Sequence, residues 1–100
     1  MATTVEFTKN QESGRYEYGY TSTGDQLVMQ VDFGETPKNP SECYVDVLAR
    51  TSADMPYVRV ENVDMWGGNS KMFKLDIPTG IQVLLQAFLP VEHAEYVVVE

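Results

Sequence analysis

Arg15-Tyr16-Glu17-Tyr18-Gly19-Tyr20-Thr21, followed by Ser22-Thr23-Gly24-Asp25 and then Gln26-Leu27-Val28-Met29-Gln30-Val31-Asp32-Phe33-Gly34, is the stretch that decides the fold class. In the first run Tyr16, Tyr18 and Tyr20 share one parity; in the last, Leu27, Met29, Val31 and Phe33 do. Side chains of an extended strand alternate between two faces, so this period of two marks half-buried strands. Ser-Thr-Gly-Asp between them is turn chemistry. The pattern predicts two strands joined as an antiparallel hairpin.

Working outward, the same alternation recurs. Thr3 to Thr8 points Val5 and Phe7 one way and is followed by a polar turn, Lys9 to Gly14. Glu35 to Ser41 holds Pro37 and Pro40, which cannot donate to a ladder, so it reads as a loop. Glu42 to Thr51 sets Cys43, Val45, Val47 and Ala49 against Tyr44, Asp46, Leu48 and Arg50. After a turn at 52–54, Pro56 to Val63 sets Val58 and Val60 against Tyr57, Arg59 and Glu61. A glycine-bearing loop, Asp64 to Ser70, leads to Lys71–Ile77, where Phe73, Leu75 and Ile77 oppose Lys74 and Asp76. Pro78-Thr79-Gly80 is a turn, and Glu95 to Val99 is a last β-branched run.

Ile81 to Leu89 admits two readings. Ile81, Leu84, Leu85, Phe88 and Leu89 fall at helical spacing before Pro90, whereas Ile81, Val83, Leu85, Ala87 and Leu89 fall on one strand face. The segment is short for a helix and its neighbours are all β, so the strand reading is preferred. The expected fold is all-β: one domain spanning 1–100, a two-sheet antiparallel sandwich of seven or eight strands, jelly-roll-like or immunoglobulin-like.

Composition narrows the function classes. Seven basic and fifteen acidic side chains give a net charge of −8. Phosphate backbones are bound by clustered Lys and Arg. Here Lys9, Arg15, Lys38, Arg50, Arg59, Lys71 and Lys74 are scattered along the chain, so no nucleic-acid partner is expected. No apolar run reaches the roughly 18 residues of a membrane span, so no membrane insertion is expected. The amino terminus has no basic segment leading into an apolar one, and no secretory signal is expected.

The chemistry-bearing residues are few. His93 and Cys43 are the single histidine and cysteine, which leaves no zinc set, no intrachain disulfide and no well-partnered catalytic histidine. No glycine pattern matches a phosphate loop. Asp32 and Asp46 are expected on one outward face, where solvated charge outweighs a glycosidase-type carboxylate pair. Glu61-Asn62-Val63-Asp64 with Asn69 offers oxygen ligands without EF-hand spacing, a minor calcium reading. Taken together, the expectation is no enzyme, no catalytic residue, no cofactor and no bound metal.

Surface features carry what remains. Tyr16, Tyr18 and Tyr20, with Trp66 in the Gly67-Gly68 loop, would form a glycan-stacking platform if exposed and part of the core if buried. The opposite parity, Arg15, Glu17, Gly19 and Thr21, is the wetter one, which favours core for the tyrosines. Leu84 and Phe88 lie opposite an already apolar face, and Val97-Val98-Val99 has no polar face. Such strands need covering, by the fold itself or by a neighbouring subunit. The candidate interaction surface is therefore Trp66, Leu84, Phe88, Val97 and Val99.

The layout Phe7, Tyr16-Glu17-Tyr18-Gly19-Tyr20, Gly24-Asp25 and Val31-Asp32-Phe33 resembles small β-sandwich proteins of tailed phages. So does the ending Ile77-Pro78, Ile81-Gln82-Val83, Pro90, Ala94-Glu95 and Val97-Val98-Val99. The likeness is to virion-surface proteins, head-fibre or auxiliary capsid components, of phages infecting Bacteroides-type bacteria. It covers most of the chain as spacing of aromatics, glycines and prolines, and brings no catalytic or ligand motif. The resemblance implies a sandwich present in several copies, made in the host cytoplasm and anchored on the virion surface. Its partners would be other copies or capsid subunits. The reading of the residues agrees: a non-enzymatic structural and interaction protein, with a carbohydrate-binding or lectin-like domain recognising a surface glycan as the alternative.

Overall fold

The computed structural model describes residues 2–35, 42–64 and 69–99. Each alternating run becomes a strand: β1 (Thr3–Val5), β2 (Thr8–Lys9), β3 (Tyr16–Thr21), β4 (Gln26–Asp32), β5 (Tyr44–Arg50), β6 (Val58–Asp64), β7 (Ser70–Asp76), β8 (Gln82–Ala87) and β9 (His93–Val98). No α-helix occurs among the described residues, and Ile81 to Leu89 is resolved in favour of a strand. The described residues form nine strands rather than seven or eight because the run from Thr3 to Thr8 breaks at Glu6-Phe7. Its two halves join different sheets.

The strands form two antiparallel sheets, one ordered β1-β9-β4-β7 and the other β2-β3-β8-β5-β6. Only β2–β3 and β5–β6 are hairpins between consecutive strands; every other connection passes from one sheet to the other. The expected hairpin of β3 with β4 is thus overturned. β3 pairs with β2 and β8, and β4 with β7 and β9. The turn between them explains the crossing. Ser22 is buried, its hydroxyl donates to the Ile77 carbonyl at 2.6 Å, and it accepts from the Gly24 amide at 3.1 Å. These bonds tie the turn to the far end of β7 instead of closing a two-strand ladder. Gly24 has φ of 89°, and a side chain there would collide with the Thr79 hydroxyl, so the position requires glycine.

Inward parity supplies one core from both sheets. Leu27, Met29 and Val31 of β4 and Phe73 and Leu75 of β7 belong to the same cluster as Val45 and Val47 of β5 and Val83, Leu85 and Ala87 of β8. The arrangement is sandwich-like. Cys43 is buried in that cluster as a free thiol. The two strands that looked apolar on both faces are interior to their sheets, β8 between β3 and β5 and β9 between β1 and β4. Val97 and Val98 are paired with β4 on one side only, since β1 reaches no further than Tyr96, and Val97, Val98 and Val99 stay 37%, 43% and 43% exposed.

One inward row departs from its parity. The β5–β6 pairing shifts between Val47 and Leu48, so Glu61 stands opposite Val47 while Val58 stands opposite Ala49. Val60 is the extra, unpaired residue of this bulge, and Val58 and Val60 are both more than half exposed on an edge strand.

Candidate interaction face and inter-sheet cleft

The outward residues of the five-stranded sheet make an organised surface. Tyr44, Asp46, Leu48 and Arg50 of β5 alternate with its buried row, and register sets Leu48 beside Leu84 and Asp46 beside Gln86. On the other side of β8, Gly19 stands opposite Leu84, which lies over it. Phe88 continues this outward parity beyond β8. Its ring stacks on Tyr44 at 5.9 Å between centroids and 16° between planes. The Arg15 guanidinium lies 4.8 Å from the Phe88 centroid and 5.8 Å from that of Tyr44, and donates to the Tyr44 hydroxyl at 2.7 Å. Cation–π attraction and the hydrogen bond together hold one guanidinium against two rings.

The rest of the face repeats this theme. Arg50 lies 4.2 Å from the Tyr57 centroid and donates to Gln82 at 2.7 Å. Arg59 is paired with Asp46 at 3.7 Å. Glu17 accepts from Gln86 and from Asn10, the latter at 2.8 Å. All three arginines of a chain with net charge −8 therefore sit on one sheet face. Linear scanning read them as scattered because 44 residues separate the first from the last; antiparallel register is what gathers them.

The sequence-derived interaction residues divide. Leu84 and Phe88 meet on this face together with Tyr44 and Leu48, whereas Val97 and Val99 belong to the other sheet and its end. Phe88 is 41% exposed and Leu84 half-buried. Trp66 lies outside the described residues. Tyr44 and the arginines were missed by sequence reasoning, although the outward parity of Tyr44, Leu48 and Leu84 was the signal that could have found them.

The tyrosine stripe does not form an exposed platform. Tyr16, Tyr18 and Tyr20 are half-buried and pack against the core. Tyr18 stacks on Tyr20 at 5.9 Å and 24°, with Phe7 at 6.1 Å on Tyr18. Tyr18 and Tyr20 line a cleft of about 230 Å³ that both sheets share, with Leu27 and Met29 of β4, Tyr96 and Val98 of β9 and turn residues including Ser22, Thr23 and Asp25. Burial, followed by the neighbouring Tyr18 and Tyr96, pushes the Tyr20 phenol up to about 12; burial and then Tyr96 also raise Tyr18.

The remaining sequence-derived sites dissolve on placement. Asp32 and Asp46 stand on different sheets, so they share no face. Sheet membership overrides the parity that paired them. Asp32 accepts from the Gly34 amide at 3.1 Å. His93 is exposed and lies 3.3 Å from Glu95, an imidazole–carboxylate contact at the start of β9. Of the calcium reading, Asn69 donates to the Gly34 carbonyl at 2.8 Å, and the intervening residues 65–68 lie outside the described residues. No cluster of three or more His, Cys, Asp or Glu suited to a metal occurs among the described residues.

The chain matches no protein-family model, no curated protein and no solved structure.

Proposed function

We propose that the chain is a non-enzymatic jelly-roll subunit of a larger assembly, a virion-surface protein of a tailed phage. In this reading it docks through the outer face of its five-stranded sheet onto an acidic protein surface. Support for the jelly roll comes from the nesting of the strand pairs. β5 pairs with β6, β4 with β7, β3 with β8 and β1 with β9, and successive pairs alternate between the sheets. Such nesting is what one long hairpin rolled upon itself gives, and jelly rolls are common in capsid proteins. An immunoglobulin-like order would instead contain more consecutive hairpins.

The observation that carries the docking role is the Arg15–Tyr44–Phe88 stack beside Leu48 and Leu84. Tyr, Phe and Arg are the residues that interfaces concentrate, and a guanidinium already held on two rings has little freedom left to lose on binding. With the other acids of a −8 chain spread elsewhere, the arginine-bearing face is the one an acidic partner surface can approach without repulsion. Binding only to the assembled particle would stabilise it by mass action. The phage assignment rests on the resemblance in aromatic, glycine and proline spacing.

The test is particle composition. Virions produced from the genome that encodes the chain should carry it when wild type and lack it when it bears Leu84→Ser with Phe88→Ser, as read by mass spectrometry of purified particles. Particles that retain the double variant would remove this face as the dock. Particles that lack the wild-type chain would remove the virion assignment itself.

A further inference from the structure

The inter-sheet cleft is independent of the docking face and has a chemistry of its own. Its aromatic wall is Tyr18 stacked on Tyr20, which has no further ring neighbour among the described residues. Tyr18, Tyr20 and Tyr96 line it, and their hydroxyls make no hydrogen bond among the described residues. Leu27 and Met29 give an apolar lining, while Thr23 and the Asp25 carboxylate supply polar groups. Among the described residues no lysine or arginine lines it.

These features select a ligand class. Phenol hydroxyls both donate and accept, and a carboxylate accepts, so the polar groups match a polyol. A carboxylate without a compensating cation, in a chain of net charge −8, repels anions, which removes phosphates and acidic sugars. At about 230 Å³ the cleft is smaller than the roughly 300–1,000 Å³ typical of drug-sized ligands, so it holds one ring. We propose that this cleft binds a single neutral pyranose, such as the end residue of a surface glycan, with its apolar face on Tyr20 and its hydroxyls on the phenols and Asp25. The stripe that fails as an exposed platform becomes the wall of a one-residue pocket.

The experiment is an amide-resolved NMR titration of the free chain with methyl glycosides of glucose, galactose, mannose and N-acetylglucosamine, and with N-acetylneuraminic acid as the anionic counterpart. The proposal expects saturable shifts confined to Tyr18–Asp25 and Tyr96–Val98 with at least one neutral glycoside. The affinity should be on the order of 1 mM, typical of a small polar ligand. Asp25→Ala, an exposed change that leaves the core intact, should weaken binding several-fold, and Tyr20→Phe should weaken it while keeping the stack. Absence of saturable shifts with every neutral glycoside, equal binding of the anionic sugar, or shifts confined to other residues would overturn it. The titration needs no assembly partner, so its result stands apart from the docking proposal.

Discussion

The two outward sheet faces start from the same alternation and end as different surfaces. On the four-stranded sheet the outward residues include Thr4, Val28, Gln30, Met72, Lys74, His93, Glu95 and Val97, held by local contacts such as Gln30 to Ser70 at 2.8 Å and Gln26 to Asp76 at 3.1 Å. No Phe, Tyr or arginine lies among them. On the five-stranded sheet the outward side chains interlock across strands through Arg15, Tyr44 and Phe88, and through Arg50, Tyr57 and Gln82. The difference teaches that parity decides which residues face out, while register decides whether they act together. A face whose side chains are ordered before binding loses less entropy when a partner covers it.

The largest expected effect separates inward from outward residues on one strand. Leu85→Ala removes a side chain with 0% exposure and should cost about 2–5 kcal/mol in urea unfolding. Leu84→Ala, its half-buried outward neighbour, should cost well under that. Equal losses would mean that the outer face is as covered in the free chain as the core is.

Next in size is the bond that sends β3 and β4 into different sheets. Ser22→Ala leaves the part-buried Ile77 carbonyl without this donor and should cost about 1 kcal/mol in the same assay. A neutral result would show that the crossing does not depend on this tie.

Within the ordered face, a double-mutant cycle of Arg15→Ala and Phe88→Ala should give a coupling of about 0.5–1 kcal/mol, and Arg59→Ala at its exposed pair with Asp46 less than about 1 kcal/mol. A null coupling at Arg15 would reduce the two faces to the same kind of surface.

The smallest effect is spectroscopic. Tyr20 holds its proton above the ordinary value of 10, up to about 12. The unfolded chain therefore binds fewer protons than the native one in that window. The stabilisation is present below pH 10 and is lost as pH rises towards 12. Absorbance of phenolate should show a late-titrating tyrosine, moved to lower pH by unfolding.

How much of this was legible in the sequence follows from the same distinction. The inward rows at 27, 29 and 31 and at 45 and 47 could be read directly from alternation, whereas the row at 83, 85 and 87 came only with the preferred strand reading of a segment that also fits helical spacing. Partner strands could not. Nothing in Ser22-Thr23-Gly24-Asp25 distinguishes a hairpin from a crossing, since the deciding bond goes to Ile77, 55 residues away. The break at Glu6-Phe7 and the bulge opposite Leu48 are likewise set by partners. Of the face proposed as the dock, Leu84 and Phe88 were singled out in the sequence by doubled apolarity, whereas Arg15 and Tyr44 come together only through the β3–β8–β5 register.

Hydroxyl-radical footprinting of the chain, free and in purified particles, tests the central claim most directly, because each face carries its own reporter. Met72 is 65% exposed on the four-stranded sheet, and Phe88 with Tyr44 marks the five-stranded one. The account predicts that Phe88 and Tyr44 lose labelling in the particle while Met72 stays fully oxidised. Protection of Met72 with Phe88 and Tyr44 unchanged would contradict it and assign the dock to the opposite face.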